Sequence, residues 1–403
     1  MRDKTALSRE EEIVLACCRQ EVPAAGRLRP ADWGRVAALA EREGVVTLLY
    51  TWMERHGLLS DLPDRVRTDL FNRYYLTAGA VVVWQTELQK ILRLAARMEL
   101  AFLALKGVVL AETVYDNPVL RPMSDIDLLV RPEDFSRARN VLGLAGYRPL
   151  AGEGRLAPGA DYLTSLRFVR NSGPFLPIHL HTHLVNSTVP NRKLAAAVPM
   201  ADIWRRARPV SLCGQPALAL AAHHQLLHLA EHGLRVSHSL TRWRYLCDID
   251  RTVRHHRDML DWDLFCATVL AAGLQRFVYH PLALAGRRLE TPVPTEVLVR
   301  LRPRSGWEDR TFTLLLERNI RKPGLSYLLH LAQQENPVAK LHFLYRTVLP
   351  PREVLAVRYG LSTGLVHHGH YLRRMLEIGT TLLGAASAGL LGSGGRVRSD
   401  NGD

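Results

Sequence analysis

Two short stretches of the chain decide the fold: Leu105-Lys106-Gly107 and Ser124-Asp125-Ile126-Asp127-Leu128-Leu129-Val130. The first ends an apolar run that begins at Ala101 and precedes another apolar segment. This order indicates a buried strand that turns into a helix at the glycine. The second stretch alternates charged and apolar side chains and then ends apolar, which is typical of a strand with one buried face. Residues 96–190 are therefore predicted to form a compact module of mixed strands and helices.

The second stretch places two carboxylates close together. On an extended strand Asp125 and Asp127 project from the same face, while Ile126 points into the core. Neighbouring carboxylates repel each other, and a divalent cation offsets that repulsion. Hard oxygen ligands suit Mg²⁺, or Mn²⁺ in its place, with water and phosphate oxygens completing the coordination shell. The strand therefore predicts a metal site that handles phosphates.

The Lys-Gly turn predicts a phosphate contact beside that metal. Gly107 lets the backbone approach a phosphate oxygen closely, and the start of the following helix presents unpaired N–H groups. Lys106 can neutralise a further oxygen, Arg121 adds a forked donor, and Ser124 directly precedes the carboxylates. Each motif alone is common in turns and strand ends. In this order they predict a nucleoside triphosphate bound against a metal.

These residues, with Leu110 and Tyr115 between them, resemble a bacterial uncharacterised nucleotidyltransferase family of the DNA polymerase β-type superfamily. The resemblance extends to Leu227-His228-Leu229 with His232, and to segments 246–250 and 350–360, so it covers most of the chain. It implies an α+β fold. In that fold a polymerase-β-type nucleotidyltransferase module, a small mixed sheet with helices, is flanked by helical N- and C-terminal regions.

The remaining sequence predicts how the chain is divided around that module. A length of 403 residues exceeds what one hydrophobic core of roughly 250–300 residues accommodates. Apolar residues at helical spacing, for example over 62–98, predict a helical N-terminal region at 1–95. The same pattern predicts a helical C-terminal domain at 191–392, and the Gly-rich polar end predicts a disordered tail at 393–403.

The resemblance also raises a question about the third metal ligand. The superfamily normally has a third carboxylate on a neighbouring strand, where this chain has His179-Leu180-His181-Thr182-His183. His179 in that position could bind a metal or accept a proton, or catalysis could be lost. The three histidines could also form a transition-metal site with the two aspartates, or simply be polar residues on a half-exposed strand. Glu153 and Asp161 are weaker candidates for a substitute carboxylate.

A second group of histidines lies on one predicted helix. His224, His228 and His232 recur every four residues, a spacing that can hold zinc, but no Glu follows a His as the metalloprotease motif requires. We expect His228 and His232 to line an acceptor pocket or to bond neighbouring helices, and we place His181 in the same candidate pocket.

The resemblance implies a reaction. It is the Mg²⁺-dependent transfer of a nucleoside monophosphate group from a nucleoside triphosphate to an unidentified acceptor, with release of pyrophosphate. Asp125, Asp127 and His179 are the catalytic candidates, and the acceptor would be a small molecule, a peptide or a natural-product intermediate. A second hypothesis is a catalytically degenerate nucleotidyltransferase fold that acts as a binding or regulatory protein, antitoxin-like or a partner in biosynthesis. A nucleic-acid-modifying enzyme is a third.

Composition limits these alternatives only in part. The net charge of +14, from 53 basic and 39 acidic residues, suits any phosphate-bearing partner. The charge does not choose among such partners, although the basic residues are spread along the chain without a tract that marks a nucleic-acid tail, and we expect a small molecule or peptide as acceptor more than a nucleic acid. Five cysteines without a C-x-x-C pair predict reduced thiols and a cytoplasmic location. The longest uncharged stretch, 378–395, is too rich in Gly, Ala and Ser to predict a membrane span.

Overall fold

The fold is seen in a computed structural model. It describes residues 7–22, 32–150, 164–171, 173, 175–185, 197–235, 238, 240–304, 306–322, 324–361 and 363–391. Glu153, Asp161 and the predicted tail at 393–403 lie outside the described residues.

Helices make up the described N-terminal part. They are α1 (Arg9–Arg19), α2 (Trp33–Glu43), α3 (Val46–Arg55) and α4 (Asp64–Arg97). Ser8 and Glu11 form a capping box that satisfies backbone N–H groups at the start of α1, and Asp32 caps α2 in a similar way. The helix predicted over residues 62–98 is α4, which is 34 residues long and packs against the sheet that follows it.

Seven strands of the described chain form one mixed sheet. They are β1 (Leu103–Leu105), β2 (Ile126–Leu129), β3 (Arg148–Pro149), β4 (Ser165–Val169), β5 (Ile178–His181), β6 (Arg208–Leu212) and β7 (Gln215–Ala219). Their order is β3-β4-β5-β2-β1-β7-β6. The pairs β2–β5 and β1–β7 are parallel, and the other neighbours are antiparallel. Two helices, α5 (Gly107–Thr113) and α6 (Phe135–Leu144), follow β1 and β2.

The hairpin formed by β6 and β7 is not predicted by the sequence, which indicates helix from residue 217 onward. Pro209 and Pro216 argue against strands because proline donates no ladder hydrogen bond. The sheet tolerates both prolines because β6 is an edge strand and β7 pairs with β1 only at Leu218 and Ala219. The hairpin lies beyond the module boundary predicted at residue 190, yet it extends the same sheet. The domain boundaries themselves stay predictions.

One short helix precedes the hairpin, and the remaining described helices follow it. They are α7 (Met200–Arg205), just before β6, then α8 (Ala222–Gly233), α9 (Arg244–His255), α10 (Trp262–Ala271), α11 (Gln275–Leu289), α12 (Thr295–Leu301), α13 (Trp307–Glu317), α14 (Tyr327–Ala332), α15 (Pro337–Val348), α16 (Arg352–Tyr359) and α17 (His368–Leu391). In the described part of the chain, no helix combines the length and apolarity that a bilayer crossing requires.

The two faces of the sheet belong to different cores. Ile126 and Leu128 of β2 pack into the core shared with α4 and α6. Leu129 belongs to the core shared with α8, α9 and the N-terminal helices. Because side chains alternate along a strand, Asp127 lies on the same face as Leu129. The sheet therefore presents this carboxylate to the helical layer, and the overall architecture is α+β as the sequence predicts.

Candidate functional site

The pairing of three central strands brings the charged residues together. In the parallel pair β2–β5, Asp127 lies opposite His179. In the antiparallel pair β1–β2, Asp127 lies opposite Leu105, so Lys106 emerges from β1 beside the same carboxylate. Two motifs separated by about twenty residues in sequence, and a histidine strand fifty residues further on, therefore meet at one place on the sheet.

Asp127 is buried and surrounded by positively polarised groups. The Lys106 Nζ lies 2.8 Å from its Oδ1, and the His181 Nε2 lies 2.8 Å from the same oxygen. Burial alone raises the pKa of Asp127. The charge of Lys106 and the hydrogen bond from His181 outweigh burial, however, and hold this pKa well below its usual range. Asp127 is therefore an ionised carboxylate inside the protein.

His181 is the neutral partner in this arrangement. Burial lowers the pKa of His181 to about 4, and Lys106 also lowers it, against the opposing effect of Asp127. A neutral imidazole has a single N–H. When Nε2 carries it, His181 donates to Asp127, and its buried Nδ1 has no hydrogen-bond partner within the described ranges. The sequence places His181 in an acceptor pocket, whereas in the structure it lies beneath Asp127 with 1% of its surface exposed.

Asp125 and His179 form the more accessible half of the site. The His179 Nδ1 lies 3.3 Å from the Asp125 Oδ2 and 3.7 Å from the Asp127 Oδ1, so one imidazole contacts both carboxylates. The Ser124 hydroxyl lies 3.3 Å from the Asp125 Oδ1. The side chains of Asp125 and His179 are partly exposed, at 32% and 24%. A ligand entering from solvent reaches these two residues first.

The donor set fits a divalent cation. Ligand atoms of Asp127, His179 and His181 all lie within 4.8 Å of one another, and His179 connects this group to Asp125. The carboxylate oxygens suit Mg²⁺ or Mn²⁺, and an imidazole nitrogen suits Mn²⁺ better than Mg²⁺. His183 does not join the group, because it lies beyond β5 and its Nδ1 accepts a hydrogen bond from the Val185 N–H.

The Lys-Gly turn has an unusual backbone. Lys106 has a φ of 50°, in the left-handed region that non-glycine residues rarely adopt. Such strain persists where the surroundings fix the conformation, and it concentrates at functional sites. A Cβ added to Gly107 would lie 2.6 Å from the Met123 Sδ. A side chain at this position would therefore require the flexible Met123 side chain to shift.

Arg121 is held by the helical layer. Its Nε and Nη2 donate to the two oxygens of Asp248 on α9, at 2.7 and 2.8 Å, and its Nη1 donates to the Pro122 carbonyl at 2.9 Å. The Tyr115 hydroxyl also donates to Asp248. This buried pair joins the loop before the carboxylate strand to α9. A phosphate contact by Arg121 stays a prediction, since each of these three nitrogens already has a partner inside the protein.

One pocket collects most of the predicted site. It is lined by Lys106, Gly107, Arg121, Met123, Ser124, Asp125, Asp127, His232, His238, Arg244 and Tyr245. His179 adjoins it through its contact with Asp125. His228 is buried at 1% exposure and is not among the lining residues. The sequence therefore names most of the sheet side of this pocket and His232 on the helical side.

His224, His228 and His232 of α8 do not form one metal-ligand cluster among the described residues. Among the described residues, His224 shares a possible ligand cluster with Asp202 and His223, and His228 and His232 join no such cluster. Zinc held by His224, His228 and His232 therefore has no support in the geometry. The His232 ring centroid lies 4.5 Å from that of His238, whose Nδ1 is 2.8 Å from the Tyr245 hydroxyl.

The sequence predicts Tyr245 to be a core residue or an acceptor-pocket wall, and sequence reasoning misses the three other lining residues: Met123, His238 and Arg244. Met123 precedes the carboxylate strand but has no chemical signature of its own. His238 and Arg244 come from the segment between α8 and α9 and from the start of α9, more than 110 residues after Asp125. Their approach to the pocket depends on how α9 packs, which no local pattern reports.

An α+β fold whose mixed sheet carries two aspartates beside a Lys-Gly turn is consistent with a nucleotidyltransferase. The sequence model of a family described as uncharacterised nucleotidyltransferase matches residues 29–290. Because this match spans more than half of the chain, the protein belongs to that family, and the family predicted from the sequence motifs is confirmed. Neither a curated protein nor a solved structure matches the chain.

Proposed function

We propose that this protein transfers a nucleoside monophosphate group from a nucleoside triphosphate to an acceptor that bears a hydroxyl or phosphate group. One observation carries the proposal: Asp125, Asp127 and His179 converge beside the strained Lys106-Gly107 turn. Membership of the nucleotidyltransferase family supports the class of reaction. The acceptor we favour is a small molecule or a peptide.

Asp125 and Asp127 are the residues that would hold Mg²⁺ or Mn²⁺. A bound ion supplies positive charge against the phosphates and against the attacking oxygen. Lys106 and Ser124 line the same pocket and would contact phosphate oxygens. Arg121, fixed by Asp248, would hold the loop before Asp125 in place. The pocket therefore combines anion-binding groups with the carboxylates that a metal requires.

The reaction balances as a simple displacement. The acceptor oxygen forms a bond to the α-phosphorus, the bond from that phosphorus to the bridging oxygen breaks, and pyrophosphate leaves. A hydroxyl acceptor also loses its proton. His179 is positioned to take it: when its Nδ1 carries the hydrogen that faces Asp125, its Nε2 can accept a proton. In this arrangement Asp125 orients the base.

The helical wall would contact the acceptor. His232, His238 and Tyr245 line the pocket opposite the carboxylate strand. Burial holds the pKa of His232 well below its usual range, and burial lowers the pKa of His238 to about 3, so both imidazoles are neutral near pH 7. Neutral rings and a phenol suit an uncharged part of the acceptor.

The test uses Asp125→Asn, because Asp125 is half-exposed and the Lys106–Asp127 pair stays intact in this variant. The protein is incubated with each nucleoside triphosphate, Mg²⁺ or Mn²⁺, and a cell extract. Pyrophosphate release and nucleotidylated products are followed by mass spectrometry. We expect turnover by the wild type and a loss of at least about a hundredfold in the variant.

Asp116→Asn is the matched control, since Asp116 is an exposed aspartate ten residues or so before the strand. Unchanged turnover in Asp125→Asn would refute the proposal. Tight triphosphate binding without pyrophosphate release would instead assign the chain to the degenerate binding or regulatory class, which His179 in the third position motivates. Salt-dependent binding of RNA or DNA would indicate a nucleic acid acceptor.

A further inference from the structure

Arg244 reaches the candidate site from the helical layer. It is the first residue of α9, and its side chain lines the pocket together with Lys106 and Asp125. Its Nη1 donates to the Pro122 carbonyl at 3.1 Å. Its Nε is buried and has no hydrogen-bond partner among the residues that the structure describes. This donor set is thus only partly used within the protein.

Two guanidinium groups meet at this point. Arg121 donates to the same Pro122 carbonyl through its own Nη1, at 2.9 Å. Asp248 forms an ion pair with Arg121. Throughout the described part of the chain, no carboxylate lies within ion-pair distance of Arg244. Asp248 therefore compensates one of two adjacent positive charges, and an excess of positive charge remains beside the pocket.

Two other arginines in the same helical layer are compensated, whereas Arg251 of α9 has no ion pair within the described chain and has a buried Nη2 without a hydrogen-bond partner there. Arg321 pairs with Glu43 at 2.8 Å, and Arg235 pairs with Glu231 at 3.1 Å. The histidines beside Arg244 offer no counter-charge, because they are neutral or cationic at any pH. Burial, followed by the charge of Arg121, lowers the pKa of Arg244, although a guanidinium stays protonated in proteins.

An uncompensated charge in a largely enclosed place is unfavourable unless a partner arrives. The partner must be an anion, and a guanidinium recognises phosphate or carboxylate through paired N–H donors. Arg244 contacts the loop at Pro122 and makes no ion pair with Asp125 or Asp127. It therefore suits phosphates that lie away from the reacting phosphorus, which must sit against the two carboxylates.

We propose that Arg244 binds the β- and γ-phosphates of the nucleoside triphosphate, the part of the substrate that leaves as pyrophosphate. This inference rests on the proposed nucleotidyl transfer and specifies which residue of the helical layer recognises the leaving group. It also gives α9 a direct part in substrate binding, since Arg244 and the Asp248 that fixes Arg121 lie one helical turn apart.

Calorimetric titrations test the inference with Mg²⁺ present throughout. The probes are the four nucleoside triphosphates, the matching monophosphates and inorganic pyrophosphate. The proteins are the wild type, Arg244→Met, Arg244→Lys and Arg242→Met. Arg242 is an exposed arginine two residues away and serves as the matched control. We expect Arg244→Met to weaken triphosphate and pyrophosphate binding about ten- to a hundredfold, as loss of a charge-assisted hydrogen bond does.

Monophosphate affinity should stay within about twofold in Arg244→Met, Arg244→Lys should be intermediate, and Arg242→Met should match the wild type. Wild-type affinity for triphosphate and pyrophosphate in Arg244→Met would overturn the inference and leave the proposed function standing. An equal loss for monophosphate would also overturn it, because the contact would then lie elsewhere on the nucleotide. A wild type that binds neither triphosphate nor pyrophosphate would remove both proposals.

Discussion

The sheet wall and the helical wall of the pocket differ in whether their charged groups have partners. On the sheet wall, Asp127 is buried but is compensated by Lys106 and His181, and His179 contacts both aspartates. On the helical wall, Arg244 has no carboxylate partner, and elsewhere in the helical layer both ring nitrogens of the buried His228 lack hydrogen-bond partners; both statements hold for the described part of the chain. The same interior therefore holds one balanced set of charges and one unbalanced set.

This difference indicates which part of the pocket is complete without a ligand. A balanced wall is stabilised by its own contacts and keeps its geometry. An unbalanced wall lowers the stability of the empty protein, because unpaired buried polar groups cost free energy. Under the proposed function, a bound phosphate would supply the partner that Arg244 lacks. Substitutions on either side of the pocket test this difference in charge balance.

The largest difference in stability is expected between variants of Arg121 and Arg244, the two arginines that donate to the Pro122 carbonyl. Arg121→Met leaves Asp248 buried without its partner, which should reduce the free energy of unfolding by about 3–5 kcal/mol. Arg244→Met removes an uncompensated charge and should leave that free energy unchanged or raise it. Urea unfolding of both variants measures the difference. Similar losses in the two variants would show that the walls do not differ in charge balance.

The next expected effect is a change in the free energy of unfolding with pH. Burial holds the pKa of His228 well below the unfolded value of 6.5, so the unfolded chain binds more protons below that pH. The stability that neutral His228 contributes is complete above about pH 6.5 and is lost as the pH falls from 6.5 toward the folded pKa. Between pH 7 and pH 5 this loss amounts to about 2 kcal/mol for one such group.

When the pH falls from 7 to 5, the free energy of unfolding of His228→Leu should therefore decrease by about 2 kcal/mol less than that of the wild type. Urea unfolding at both pH values measures this difference. His255→Leu is the control, because His255 lies on the exposed side of α9. Equal pH sensitivity in His228→Leu and the wild type would mean that the unpaired imidazole of α8 costs nothing to protonate.

The smallest of these effects tests the sheet wall. His179→Asp adds a third carboxylate beside Asp125 and Asp127, which should tighten Mg²⁺ binding roughly tenfold, about 1.4 kcal/mol. Without metal the same variant should melt at a lower temperature than His179→Asn, because three carboxylates repel one another. Melting curves with and without Mg²⁺ measure both changes. A variant that melts alike in both conditions would show that His179 does not lie in a ligand position.

The sequence predicts some residues of the candidate site and not others. Lys106-Gly107 and the Asp125–Asp127 pair are recognisable because their chemistry is local: a turn, a strand and the alternation of side chains follow from neighbouring residues. His179 is named only through the resemblance to the family. The β6–β7 hairpin is not predicted, because Pro209 and Pro216 argue against strands. Its turn at Cys213-Gly214 also lacks the usual Asn-Gly or Asp-Gly signal.

The two aspartates and the turn that faces them are predictable from the sequence alone, because each depends on neighbouring residues, and the class of fold follows from the family resemblance. The three-dimensional packing places His181 against Asp127 with almost no exposed surface, and it pairs Asp248 with Arg121 and not with Arg244 in the described chain. The physical reason is that charge balance depends on distances between elements far apart in sequence. Strand register and the packing of α9 set those distances, and no periodicity reports them.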